Sequence, residues 1–277
     1  MSAGRGTVEP RSGIITLTTD FGTRDAYVGA MKGVIYRILP SAHVVDITHE
    51  IPPQKILDAA LLIEGAYPWF PPGTVHVVVV DPGVGTPRRP IAVHSGGQLF
   101  VAPDNGVLSS PLARRDAIAH EITEIGFELP NRSDTFHGRD IFSPTAAHLA
   151  SGVELERLGS QVDDVVRLEV PHPVVSAGEI RGEILRVDRF GNTLSNIPRS
   201  LLREIGSGPY EVLVSDRSFG TLRRRYEDVP QGDSLALTGG DGRVEISVNS
   251  GSAAEELGIR PGDVMVIRPL PAEAGSG

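Results

Sequence analysis

From Val75 to Val80 the chain reads Val-His-Val-Val-Val-Val and then breaks at Asp81-Pro82-Gly83, with further breaks at Gly85 and Pro87 before Arg88 and Arg89. The run is too short for a helix and rich in β-branched residues, so it predicts a buried strand. Around it the first half alternates. Ile14 to Thr19 predicts a strand. Asp25 to Leu39 predicts a helix, with Val28, Met31, Ile35 and Ile38 near helical spacing and Pro40 as its stop. His43 to Ile47 is a second strand, Gln54 to Tyr67 a second helix and Thr74 to Val80 the third strand. This βαβαβ order predicts a mostly parallel sheet with right-handed crossovers. Pro90 to Val93 and Gln98 to Ala102 form a hairpin around Ser95-Gly96-Gly97, and Ile141 to Ser151 is a helix closed by Gly152.

The pattern changes near Pro171-His172-Pro173. Strand-like runs then follow without long helices: Gly182 to Val187, Tyr210 to Val214, Ser234 to Thr238, Val244 to Val248 and Val264 to Ile267. Short strands at close spacing predict a small barrel or sandwich. The expected organisation is a tail over 1–13, an α/β domain over 14–172, a second domain over 178–270 and a tail over 271–277.

Composition narrows the function. At 277 residues and 40% hydrophobic, the chain can bury a sizeable core. A net charge of −9 argues against nucleic acid as a partner, and no apolar run is long enough to span a bilayer. Arg223-Arg224-Arg225 is a short basic run that reads as a solvated edge or an interface. Cysteine is absent, which removes disulfides, thiolate nucleophiles and Cys-type zinc sites. With no apolar leader at the start, a cytoplasmic location is expected.

Polar clusters interrupt the apolar segments. Thr18-Thr19-Asp20-Phe21-Gly22 ends the first strand; Asp20 there either meets a ligand or caps the next turn. Asp81 and Arg88 stand beyond the third strand, where open α/β sheets bind ligands, or they form a loop salt bridge. Ala102-Pro103-Asp104-Asn105-Gly106 has turn composition. Thr135-Phe136-His137-Gly138-Arg139-Asp140 puts a proton-exchanging His at a helix entry, with Asp140 suited to capping. In the second domain, Asp188-Arg189-Phe190-Gly191-Asn192 follows a strand: either a nucleoside-binding set or an Asx turn with a packed ring. Ser252 and Ala253 open a helix, as base-edge readers or as a plain N-cap. No P-loop, dinucleotide glycine fingerprint, Gly-x-Ser-x-Gly elbow or His-x-x-x-His zinc pair is present.

Taken in order, Thr19-Asp20-Phe21-Gly22 with Asp25, Val80-Asp81-Pro-Gly-Val-Gly85 with Arg88, Ala102-Pro-Asp-Asn105-Gly106, Phe136-His137-Gly138-Arg139-Asp140 and Asp188-Arg-Phe190-Gly-Asn192 resemble the S-adenosylmethionine hydrolases. These are hydroxide adenosyltransferases related to the fluorinase and chlorinase. The resemblance spans about residues 14 to 268. It implies a three-layer α/β N-terminal domain, a β-barrel-like C-terminal domain, and homotrimers with sites at subunit interfaces. It implies that water displaces methionine from the ribose C5′ of S-adenosyl-L-methionine, giving adenosine and L-methionine, with no cofactor and no metal. It assigns Asp81, Arg88 and His137 to the nucleophilic water, with Arg88 rather than Arg89 chosen on motif spacing. Guanidinium cannot act as a base, so Asp81 or His137 would take the proton. The implied substrate set is Asp20, Asp25, Asn105, Asp188, Phe190, Asn192, Ser252 and Ala253. The halide-using relatives carry tyrosines where this chain has Asp81 and His137, so Asp81 argues for water. The alternatives are a chloride-using transferase, a non-catalytic nucleoside-binding protein on the same fold, and a metal-dependent phosphohydrolase.

Overall fold

The computed structural model describes residues 11–270. The tails expected over 1–13 and 271–277 lie outside the described residues except for 11–13. Contacts divide the chain between Glu169 and Val170 into two units.

The first unit carries a sheet of seven strands: β1 (Ile14–Thr19), β2 (His43–Thr48), β3 (Val75–Val79), β4 (Pro90–Ser95), β5 (Gln98–Pro103), β6 (Ile118–Glu121) and β7 (Gln161–Val162). Their order is β2-β1-β3-β5-β4-β6-β7. β2, β1, β3 and β5 run parallel, whereas β4 is antiparallel to β5 and β6, and β7 to β6. Helices α1 (Tyr27–Ile38), α2 (Ile56–Ala66), α3 (Ser109–Leu112) and α4 (Ser143–Ala150) cover it.

β3 explains the layering. Val75, Val77 and Val79 pack with Met31 and Ile35 of α1 and Ala146 and Leu149 of α4. Val78 and the following Val80 pack with Ala59 and Ile63 of α2 and Leu112 of α3. Alternate side chains therefore enter two separate cores. This is why the sequence shows a continuous apolar run instead of an alternating one.

The helix expected from Ile141 instead begins as a π-helical turn over Gly138–Phe142, which passes into α4. Pro144 at the start of α4 has no N–H to offer. Ser143 Oγ bonds back to the Gly138 carbonyl at 2.7 Å and supports the wide turn.

The second unit holds β8 (Val174–Ser176), β9 (Glu179–Val187), β10 (Thr193–Pro198), β11 (Tyr210–Val214), β12 (Arg217–Arg223), β13 (Ser234–Thr238), β14 (Arg243–Val248), a short helix α5 (Ala253–Leu257) and β15 (Val264–Pro269). The order β9-β10-β14-β13-β12-β11-β15 returns to β9, so seven strands close a barrel and β8 flanks it. Closure leaves those seven without a free edge. Ile180, Ile184, Val212, Ala236, Ile246 and Met265 fill the interior. Arg223, the first of the basic run, ends β12 and is exposed.

Candidate active site

Because β1, β3 and β5 are parallel, Asp20, Asp81 and Asp104 all follow strands that end on one side of the sheet. That is the side where ligands bind open α/β sheets. The chain leaves β3 at Val80, loops through 81–89 and enters β4 from the same side. Gly85 allows the loop to dock. Its φ is +78°, and a Cβ there would stand 2.6 Å from the Asp134 carbonyl oxygen.

The loop's two ends carry Asp81 and Arg88, and they meet. Arg88 Nε donates to Asp81 Oδ1 and Oδ2 at 3.1 Å each, and Nη2 makes a very short bond to Oδ2. The same Nη2 reaches His137 Nδ1 at 2.6 Å. Asp81 and Arg88 side chains are only 5% and 10% exposed, and His137 is buried. The Arg88 guanidinium also lies over the Phe142 ring at 5.4 Å, and its Nη1 is buried with no hydrogen-bond partner. A guanidinium can only donate, so His137 Nδ1 accepts and carries no proton. Burial first, and then the charge of Arg88, push the His137 pKa below its ordinary value, so the ring is neutral at neutral pH.

Other residues of this unit stand as follows. Asp20 Oδ2 accepts from the Gln54 backbone N–H at 2.8 Å, and Gln54 is one of the non-glycine residues with positive φ. Asp25 is exposed. Asn105 spends its side chain locally: Nδ2 donates to the Val80 carbonyl at 2.9 Å and Oδ1 accepts from the Val107 N–H at 3.2 Å. Arg89 turns away from its neighbour Arg88 to bind Asp104 and Asp164. Asp140 is fully buried and bound by Arg139 and the Ser133 N–H. Phe21, Tyr27 and Phe136 form an aromatic trio with centroids 5.2–5.9 Å apart.

In the second unit, Asp188 Oδ1 accepts from the Phe190 and Asn192 N–H groups, and its Oδ2 from Asn192 Nδ2 at 2.9 Å. This Asx turn leaves Asn192 buried and the Phe190 ring 76% exposed. Ser252 caps α5 by accepting from the Glu255 N–H, and Ala253 is buried. Both serve the local structure, and Ser252 packs beside the turn: a Cβ on Gly191 would fall 2.1 Å from Ser252 Oγ.

Phe190 and Asn192 line a cavity of about 530 Å³ with Tyr226, Val248, Ser250 and Gly251. Tyr226 and the group behind it belong to none of the motifs above. Tyr226 donates to Glu245 Oε1 at 3.0 Å, and Ser247 Oγ donates to the same oxygen at 3.0 Å. Burial raises the Glu245 pKa. Burial, followed by the Glu245 charge, pushes the Tyr226 hydroxyl up to about 12. Tyr226 therefore keeps its proton as a fixed donor, and its ring is held at the cavity wall. The signal available in sequence was a polar Glu inside the apolar run Val244–Val248.

Among the described residues, no three His, Cys, Asp or Glu side chains are grouped to hold a metal ion, and no helix is long and apolar enough to cross a membrane.

Residues 15–159 match the SAM hydroxide adenosyltransferase N-terminal domain, and 182–266 match the corresponding C-terminal domain. The (R)-S-adenosyl-L-methionine hydrolase of Salinispora tropica is 39% identical, over 90% of this chain and 95% of its own. The Thermus thermophilus protein of the same name is 39% identical over 88% and 95%. A fluorinase from an Actinoplanes species is 29% identical over 86% and 88%. The crystal structure of a conserved Thermotoga maritima protein superimposes with a TM-score of 0.86 at 39% identity, covering 92% of this chain and 99% of that one. The chain belongs to the SAM hydroxide adenosyltransferase family.

Proposed function

We propose that this protein hydrolyses S-adenosyl-L-methionine at the ribose C5′, giving adenosine and L-methionine. The observation that carries the reading is the buried Asp81–Arg88–His137 array with one unpartnered guanidinium nitrogen. Arg88 Nη1 is the donor available to orient a water. Desolvation strengthens its hold, because charge-assisted hydrogen bonds gain in a low dielectric. The water oxygen bonds to C5′ as the C5′–S bond breaks, and the electron pair leaves on the sulfur of methionine. The sulfonium is already a good leaving group, so the site's task is to position and partly strip one water.

The tautomer bears on which group takes the proton. His137 Nδ1 is occupied by Arg88 and Nε2 holds the ring's hydrogen, so neither ring nitrogen can accept without breaking the array. Asp81 Oδ2 accepts from both Nε and Nη2 of Arg88, whereas Oδ1 accepts from Nε alone and keeps a lone pair. Asp81 therefore receives the proton as the oxygen gains positive character, a stage at which a weak carboxylate base suffices. His137 fixes the guanidinium.

The cavity at Phe190, Asn192 and Tyr226 is the proposed nucleoside and methionine pocket; in the first unit, Asp20 and Asp25 are separately proposed as substrate contacts. An aromatic ring pair with a fixed hydroxyl suits a purine, and carboxylates suit a sulfonium. We further propose a homotrimer in which one substrate molecule is shared between neighbouring protomers.

Chromatography of S-adenosylmethionine incubated with the protein tests the reading. Adenosine and methionine in equal amounts are expected, with or without chloride. Chloride-dependent 5′-chloro-5′-deoxyadenosine in place of adenosine would make it a halide transferase, against the repulsion that Asp81 offers an anion. Binding with no product would leave a nucleoside-binding protein.

A further inference from the structure

We propose that Asp104 and Asn105, adjacent residues at the end of β5, are positioning residues that clamp both ends of the Asp81–Arg88 loop. The inference rests on the reading of Asp81, Arg88 and His137 as the reaction centre, and neither residue touches the array itself. Asn105 Nδ2 holds the carbonyl of Val80, the residue before Asp81, at 2.9 Å. Asp104 holds Arg89, the residue after Arg88, by three contacts. Its Oδ2 accepts from Arg89 Nε at 3.0 Å and Nη2 at 2.7 Å, and its N–H donates to the Arg89 carbonyl at 2.8 Å.

The clamp is itself anchored. Asp104 Oδ1 accepts from the Val166 N–H at 2.8 Å, Asn105 Oδ1 from the Val107 N–H, and the Arg89 fork continues to the Asp164 side chain and carbonyl. The Asp104 side chain is 2% exposed, so water competes little for these bonds. Pro82, Pro87 and two turn bonds, from the Val84 N–H to the Asp81 carbonyl at 3.2 Å and from the Thr86 N–H to the Gly83 carbonyl at 3.1 Å, make the loop's interior a compact piece whose position is set at its ends. Fixing its two ends is what sets where Asp81 and Arg88 meet and where Arg88 stands against His137. The Asp-Asn pair after β5 is thus more than a turn, and Asn105 acts through Asp81 rather than on substrate.

The test pairs kinetics with an NMR titration of the His137 ring in Asn105→Ala and Asp104→Asn. The charged groups that bear on His137 are Arg88, Arg132, Asp81, Asp134 and Asp140, and Arg88 has the largest effect on its pKa among them. A loosened loop end moves Arg88, so the His137 midpoint is expected to rise toward the ordinary value. kcat is expected to fall about 10²-fold, the scale of an ångström-sized misplacement, with KM changed less than about twofold because the proposed substrate cavity is untouched. Asp116→Asn, which loses a carboxylate bonded to the Gly96 N–H at the far hairpin, controls for general loosening and should leave both readouts as in wild type. Folded variants with unchanged kcat and an unchanged His137 midpoint overturn the clamp. A fall in kcat without movement of the midpoint also overturns it. If Asn105→Ala does not fold, Asp104→Asn, which retains the side-chain shape, decides. A shifted midpoint in a protein that never turns over S-adenosylmethionine would keep the clamp and sink the hydrolase reading.

Discussion

Arg88 makes its contacts through a planar fork, and nothing else in the array could replace that shape. One guanidinium edge satisfies two carboxylate oxygens and an imidazole nitrogen while leaving Nη1 over. Lysine offers a single charged point on a flexible stem. Arg88→Lys is therefore expected to fold and to lower kcat by about 10²–10³, the usual cost of one preorganised donor; a stopped assay for adenosine measures it. The pH profile follows from His137. Its pKa lies below the ordinary 6.5, so the ring stays neutral through neutral pH. Acid below that range puts a proton on Nδ1, which can then no longer accept from Arg88. kcat should be flat near neutrality and fall on the acid side, and the fall should disappear into the residual rate in His137→Ala. A profile that instead rises toward acid would contradict the assigned tautomer.

At the scale of elements, β3 holds a second consequence of burial. His76 lies inside the sheet, with Nδ1 against Thr16 Oγ1 at 2.8 Å, Nε2 against Gln98 Oε1 at 3.0 Å and its ring stacked on Phe100. Burial lowers its pKa to about 4. Below pH 6.5 the unfolded chain takes up a proton that the folded chain refuses, so folding loses stability as pH falls from 6.5 to about 4. The loss amounts to about 3 kcal/mol over that window. Urea unfolding of wild type and His76→Asn at pH 7 and pH 4.5 should show a smaller pH dependence in the variant. Gly85→Ala tests the loop in turn: the positive φ and the 2.6 Å approach to the Asp134 carbonyl predict a cost of about 1–3 kcal/mol, together with lower kcat.

These same elements show what sequence can carry. The Val75–Val80 run announced a buried strand, and the helices Tyr27–Ile38 and Ile56–Ala66 fall inside the segments expected over Asp25–Leu39 and Gln54–Tyr67. The π-helical turn at Gly138 was illegible, because its geometry depends on Ser143 bonding backwards and on where Phe136 and His137 must stand. β10 was hidden because Thr193, Ser195 and Asn196 are polar, yet in the barrel their side chains bond to backbone carbonyls, which offsets the cost of burying them. Tyr226 and Glu245 were missed for a related reason: a buried carboxylate is identifiable only once its hydrogen-bond donors are known.

For the whole molecule, the proposed reaction centre and the proposed substrate cavity lie in separate units, the Asp81–Arg88–His137 array within 81–137 and the cavity within 190–251. That separation makes the proposed trimer testable without a structure of the assembly. His137→Ala disables the water-holding half of a protomer, and Asn192→Ala disables the cavity half. Each pure variant should be nearly inactive. If one substrate is shared between neighbours, subunits mixed by denaturation and refolding will bring an intact triad against an intact cavity at about a quarter of sites, by random head-to-tail pairing. Adenosine production should then recover to about that fraction of wild type, and each variant alone, taken through the same cycle, should stay inactive. Recovery requires a site shared across protomers, because no single mixed-in chain carries both working halves. A mixture as inactive as its parents, in a sample shown by mass to contain hybrid trimers, would place the whole reaction within one chain.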